Sequence, residues 1–440
     1  MYQFDFAKAK FKINPMNINR SFKIGILLGQ IFILGSCGNA LKEHGKLNQT
    51  KEINAVDILG NSDYQAISYG GYRGVSREEQ PTIAQLKEDM KILEAMGIKV
   101  LRTYNVQPNL PHASNILAAI KELKNEDADF EMYVMLGAWI DCKNAWTVLE
   151  PDHNLESEAN AGEIARAVAL ANIYPDIVKV IAVGNEAMVK WAASYHVQPA
   201  VILKWVNHLQ GLKKKGKLSK DLWITSSDNF ASWGGGDYIY HTPDLTKLLK
   251  AVDYVSLHTY PMHDTHHNAV FWGTLSFEKS LTTHEKMDTA MGRARDYAKS
   301  QYRSVVEYMT VLGVDKPVHI GETGWASVSN GYFGPDGSRA TDEYKSAKFY
   351  HLMRDWTNKE GISCFYFAAF DERWKDAANK LGSENHFGLF TLEGKAKYAL
   401  WDKVDAGVFK GVTRGGKPIT KTYNGDKKEL MKVVLLPPLK

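Results

Sequence analysis

The chain has 440 residues, 44% hydrophobic and 24% charged, with only 14 prolines. That is globular composition and excludes wholesale disorder and collagen-like repeats. The net charge of +4 is confined to residues 1–37, where Lys8, Lys10, Lys12, Arg20 and Lys23 face Asp5 alone. The remainder is neutral, which argues against a nucleic-acid partner.

In chain order, the first element is Ile24–Leu34, IGILLGQIFIL. It is too short to span a bilayer and has the length of the apolar region of an export signal, with Arg20 and Lys23 as its positive flank and Met16 as the expected start. Leu34-Gly35-Ser36-Cys37 resembles a bacterial lipobox. Residues 1–37 therefore read as a signal peptide with Cys37 as the lipidated residue. The alternative is a plain secretory signal in which Cys37 is incidental. The expected location is an exported lipoprotein facing the outer membrane, periplasm or cell surface, held by a lipid anchor alone. Residues 38–62 read as a polar linker. Cys142 and Cys364 lie in or beside apolar runs and read as buried thiols, a disulfide between them being left open; with no C-x-x-C, zinc-ribbon and thioredoxin readings fail.

Beyond the linker, short apolar β-rich runs alternate with helix-period segments. The predicted strands are Ala66–Gly70, Lys99–Tyr104, Glu131–Trp139, Val178–Gly184, Leu222–Ser227, Val252–His258, Pro317–Gly321 and Ile362–Phe370. Runs such as VIAVG and CFYFAAF suit strands buried on both faces. The predicted helices are Thr82–Met96, Ala113–Leu123, Ser157–Tyr174, Pro199–Lys215, Lys286–Leu312 and Thr341–Thr357. Eight strands alternating with helices predict a single α/β domain, a (β/α)8 TIM barrel over residues 63–404. Residues 405–440, which lean basic through Lys410, Arg414, Lys417, Lys421, Lys427 and Lys428, read as a solvated C-terminal extension.

Several chemistries are excluded by inspection: G-x-S-x-G, G-x-G-x-x-G and H-E-x-x-H are absent, and the near-match to a phosphate loop at Gly211–Lys217 has Leu218 where a hydroxyl is required. His258, His263, Asp264, His266 and His267 have a spacing that metal ligands can show, but a polar loop at the barrel mouth is the preferred reading and no metal is expected.

In such a barrel, chemistry gathers at the carboxyl ends of the strands. Those ends read Arg102-Thr103-Tyr104-Asn105, Trp139-Ile140-Asp141, Gly184-Asn185-Glu186, Ser227-Asp228-Asn229, His258-Thr259-Tyr260-Pro261, Glu322-Thr323-Gly324-Trp325 and Asp371-Glu372. Aromatic rings, hydrogen-bonding side chains and carboxylates together suit a carbohydrate. Glycoside hydrolysis needs two carboxyl groups flanking the scissile bond. Glu186 and Glu322, at the ends of strands four and seven, can face each other across the mouth, and a retaining spacing is expected.

These motifs resemble glycoside hydrolase family 17, the β-1,3-glucanase family of retaining (β/α)8 enzymes. Ile181-Ala182-Val183-Gly184-Asn185-Glu186 is similar to the family's acid/base motif. Gly321-Glu322-Thr323-Gly324-Trp325-Ala326-Ser327 resembles its nucleophile motif, with Ala326 where Pro is usual. Phe370-Asp371-Glu372-Arg373-Trp374-Lys375 and Glu384-Asn385-His386-Phe387-Gly388-Leu389-Phe390 resemble its strand-eight block. The resemblance implies Glu186 as acid/base and Glu322 as nucleophile. It also implies Tyr104, Asn185 (at the sugar 2-hydroxyl), Tyr260 (at the nucleophile) and Trp325 as substrate-binding or supporting residues, and Glu372, Lys375 and Glu384 as a charged network on the acid/base side. It runs from about Ile67 to Leu400 and departs from the family around Ser232–His241, in the histidine-rich loop and in the basic tail. The expected activity is endo-acting cleavage of β-1,3-glucan such as laminarin, with no cofactor and a monomer as the expected state. A transglycosylase of the same family and a non-catalytic glycan-binding lipoprotein are the alternatives.

Overall fold

The computed structural model describes residues 53–440; the export signal, Cys37 and the linker up to residue 52 lie outside the described residues. Eight parallel strands close into a barrel: β1 (Gln65–Ser68), β2 (Ile98–Arg102), β3 (Tyr133–Ala138), β4 (Val178–Asn185), β5 (Trp223–Asn229), β6 (Val255–His258), β7 (Val318–Thr323) and β8 (Cys364–Tyr366). β8 pairs with β1 to complete the ring. Between them run α1 (Ile83–Ala95), α2 (His112–Glu126), α3 (Ala159–Ile173), α4 (Pro199–Lys214), α5 (Pro243–Ala251), α6 (Thr283–Val311) and α7 (Glu343–Lys359). The TIM barrel is thus as predicted.

Local chemistry sets the helix boundaries. Thr82 and Thr282 start α1 and α6 with reciprocal capping boxes to Gln85 and Glu285, and Asp342 accepts from the Lys345 amide at the start of α7. The two-residue period of the strands divides the core in two. Ala66, Val100, Tyr133, Met135, Val180, Ala182 and Phe365 fill the barrel interior. Their neighbours Ile67, Leu101, Val134, Leu136, Ile181 and Val183 pack outward against the helices.

Four features differ from the sequence-based expectation. Residues 53–62 are not linker: Ala55, Ile58 and Leu59 pack into the interior cluster from the amino-terminal end, plugging the barrel floor. α5 was unpredicted, because its Leu245, Leu248 and Leu249 run into the apolar residues that lead β6. A hairpin of Cys142–Lys143 and Asp152–Glu156 is inserted between β3 and α3; mostly polar and exposed, it carries no alternation to betray a strand. The C-terminal residues are no solvated tail. Arg414 is 4% exposed and reaches buried Asp89, Leu430 packs with Met287, Tyr344 and Trp401, and Leu439 pairs with Thr274. Cys142 and Cys364 are both buried and free. Among the described residues no helix is long and apolar enough to cross a membrane.

Candidate active site

Both glutamates are delivered by an irregularity in the ladder just before them. β4 slips against β5 between Ala182 and Asn185, with Gly184 at φ 79°. β7 slips against β6 where Leu257 pairs with Ile320 and His258 with Glu322. Such bulges re-aim side chains at barrel rims. The bulge residue in β7 must be glycine, since a Cβ on Gly321 would strike the hydroxyls of Ser256 and Ser227. Glu186 itself adopts φ 46°, uncommon for a side chain of its size, and its amide donates to the Ser227 carbonyl at 2.9 Å.

Glu322 is buried and surrounded by donors. Arg102, 1% exposed, donates to its Oε2 and, at 3.0 Å, to the Gly321 carbonyl. The Tyr104 hydroxyl donates to the same oxygen at 2.9 Å, and the Tyr260 hydroxyl to Oε1 at 2.5 Å. Burial alone would favour the protonated acid, but the charges of Arg102 and Lys375, the neighbouring His258 and the Tyr260 hydrogen bond outweigh it. They hold the carboxyl well below the usual carboxylate range. Burial and the Glu322 charge push Tyr104 and Tyr260 well above the ordinary phenol value, so both remain donors.

Glu186 has a different neighbour. His258 places Nδ1 3.1 Å from its Oε1, while His258 Nε2 lies 2.7 Å from Ser227 Oγ and Ser227 Oγ 2.8 Å from Ser256 Oγ. Which ring nitrogen carries the proton follows the tautomer. Arg102 links the two halves of the site: its Nη2 donates to Asn185 Oδ1 at 2.5 Å, which leaves the Asn185 amide nitrogen as a donor for a ligand. Asp228, fully buried next along β5, accepts the Met188 amide at 2.7 Å and its neighbour's amide at 2.8 Å. It thereby braces the chain that follows Glu186. Burial, assisted by the Glu186 charge and opposed by these amides, pushes Asp228 up to about 7.

The structure brings Tyr104, Asn185, Tyr260, Glu186 and Glu322 together, as expected from the sequence. Two expectations need correction. Trp325, expected as a substrate-binding or supporting residue, does not bind substrate but supports the β7 loop from beneath: it is 0% exposed, its indole donates to the Ala340 carbonyl at 2.8 Å, and it packs against Trp272 and Phe349. The Glu372–Lys375–Glu384 network bears on Glu322 and not on the Glu186 side, because the β8 loop is the neighbour of β7. Lys375 lies 3.9 Å from Glu372 and over the Phe367 ring, and its charge is among those depressing Glu322. Burial pushes Glu372 up against the pull of Lys375, and Glu384 sits 3.6 Å from His263. A Cβ on Gly70 would meet the Glu372 carboxylate, which would have to shift to admit it.

The histidine-rich segment is a short helix, Pro261–His267, not a loop. His263 stacks on Tyr260 with ring centroids 5.2 Å apart, and His266 stacks on Tyr332 at 4.2 Å. Arg102, Ser227 and His258 were visible at strand ends, but no role was assigned to them. The usable signal was a charged or titratable residue terminating a strand buried on both faces, where it has to be paired.

Comparison with known proteins agrees with this geometry. A solved endo-laminarinase structure from Formosa Hel1_33_131 is 70% identical, covering 88% of this chain and 98% of that one, with a TM-score of 0.87. A glucan 1,3-beta-glucosidase of Arthroderma benhamiae is 26% identical over 331 residues, 73% of this chain and 86% of that protein. An active-site mutant of the Rhizomucor miehei beta-1,3-glucanosyltransferase in complex with laminaritriose shares the fold, at 21% identity, 77% and 97% coverage and a TM-score of 0.52. The BtgE/BtgC glycoside hydrolase domain matches residues 66–388. In keeping with the resemblance to glycoside hydrolase family 17, the chain belongs to the BtgE/BtgC glycoside hydrolase domain family.

Proposed function

We propose that the protein is a retaining, endo-acting β-1,3-glucanase that cleaves β-1,3-glucan such as laminarin by double displacement. The observation that carries this reading is the unequal treatment of two glutamates on one barrel mouth. Glu322 receives donors on both oxygens and is kept as the anion, whereas Glu186 shares its carboxyl with one imidazole. Two carboxyl groups with environments that separate their roles are what glycoside hydrolysis requires. The 70% identity to an endo-laminarinase supports the substrate and the mode of attack.

In the first step Glu322 attacks the anomeric carbon, the glycosidic C–O bond breaks, and Glu186 gives its proton to the departing oxygen. In the second, Glu186, now ionised, takes a proton from water. That oxygen attacks the same carbon, and the ester to Glu322 breaks. Arg102 and Tyr104 on Oε2 and Tyr260 on Oε1 hold the Glu322 carboxylate in place for attack and take up the charge when the ester breaks. Asn185, oriented by Arg102, donates to the sugar 2-hydroxyl.

A product-mass time course on linear β-1,3-glucan, with mixed-linkage glucan and cellulose for comparison, tests the activity. Shorter oligosaccharides from β-1,3-glucan, reduced at least about 1,000-fold in rate by Glu322→Gln, are expected. Early products longer than the donor would replace hydrolysis by transglycosylation. Absence of products would sink the catalytic reading. With azide and an activated aryl substrate, Glu186→Ala should yield the β-glycosyl azide and Glu322→Ala the α-anomer; the reverse pattern would exchange the roles.

We also propose export and lipid anchoring through Cys37, supported by the apolar run Ile24–Leu34 and the Leu34-Gly35-Ser36-Cys37 sequence.

A further inference from the structure

Double displacement leaves unused an aromatic cluster beside Glu186. The hairpin after β3 and the loop after β4 are joined where the Cys142 amide donates to the Tyr195 carbonyl at 3.0 Å. Asp141 Oδ1 accepts both indoles, Trp139 Nε1 at 2.6 Å and Trp146 Nε1 at 3.1 Å. Both rings pack on Tyr195, with centroids 5.3 Å away for Trp139 and 5.0 Å for Trp146, the latter stacked at 21°. Yet Trp146 remains 63% exposed. It is also held at φ 62°, with Asn144 at φ 64°, a backbone region that bulky side chains seldom enter. A ring needed only to fill space would be buried. This one is fixed by one carboxylate, backed by a tyrosine and turned to solvent. Tyr195 stands within the field of the reacting groups: burial, then the charges of Glu186, Asp228, Glu322 and Asp141, disfavour ionisation of its phenol.

The side of the bond follows from the topology. β3 and β4 are adjacent, and β4 carries Glu186, while Glu322 stands on β7. Glu186 protonates the departing oxygen, so rings alongside Glu186 meet the departing sugars. Pyranose faces carry C–H groups that stack on aromatic rings. We infer that Trp146, fixed by Asp141 and backed by Tyr195, is a stacking platform for the pyranose rings of the leaving-group portion of the glucan. The inference rests on the assignment of Glu186 as the acid.

The test compares wild type, Trp146→Ala and Trp146→Phe on linear laminari-oligosaccharides of increasing length and on an aryl β-glycoside of laminaritriose, whose leaving group has no sugar ring. Trp146→Ala should lose about tenfold more kcat/KM on the longer oligosaccharides than on the aryl glycoside, mainly through KM, with Trp146→Phe recovering most of it. Equal losses on the two substrates would mark a structural role and overturn the platform, as would no loss on either. A wild type that cuts neither substrate sinks the hydrolase reading instead. Calorimetric titration with laminarihexaose then decides the platform alone, weaker binding by Trp146→Ala supporting it and equal binding overturning it.

Discussion

Because Arg102, Tyr104 and Tyr260 all donate to Glu322, removing any of them leaves a buried carboxylate short of a partner. The residue with the opposite balance is Asp228, whose folded-state pKa burial raises to about 7. The unfolded chain releases that proton near the ordinary aspartate value of 3.8. Between these values the folded state binds more protons, so this group's contribution makes stability fall as pH rises from about 4 to 7, after which it is constant. Asp228→Asn removes the titration. The melting temperature of the variant relative to wild type should therefore rise across pH 4 to 7, whatever its offset from losing one amide acceptor. A difference that is flat or falls with pH would contradict the assignment. At this scale the sequence was informative where residue type and strand end coincide, as for Glu186, Glu322 and Tyr104. It left Trp325 open between binding and support, because an aromatic residue after a catalytic glutamate can turn up to the substrate or down to the core. Only the Ala340 carbonyl and the Trp272 and Phe349 rings show which.

Among the elements, the eight strands were legible because burial on both faces forces continuous apolar runs. The C-terminal segment was misread because its lysines and arginines resemble any solvated stretch. Its anchor is one ion-pair cluster: Asp89 Oδ1 receives Arg73 at 2.6 Å and Arg414 Nε at 2.8 Å, while Oδ2 receives Tyr69 at 3.0 Å. Arg414 also lies 3.9 Å over the Phe370 ring. It thus ties the C-terminal residues to α1, which carries Asp89, to Tyr69 just beyond β1, and to the chain that follows β8. Arg414→Ala should destabilise the fold by about 3 kcal/mol, read from the urea midpoint at constant slope, since it uncovers a buried carboxylate. A change under about 0.5 kcal/mol would restore the solvated-tail reading.

For the whole molecule, the anchoring proposal is tested in cells: radiolabelled palmitate should enter the wild-type chain and not Cys37→Ser, which should appear in the soluble fraction. Label retained by the variant would remove Cys37 from that role. The sequence by itself determined the barrel, the strand ends that meet at its mouth and the two glutamates. Period-two burial and short-range motifs are written in consecutive residues. The tertiary structure decided which groups surround each glutamate. It sent Trp325 inward, set Glu372, Lys375 and Glu384 beside Glu322, plugged the floor with Ala55–Ile58 and drew Arg414 to Asp89. These are contacts between residues tens to hundreds of positions apart. They follow from ring closure and from the need to pair buried charge, which no local pattern encodes.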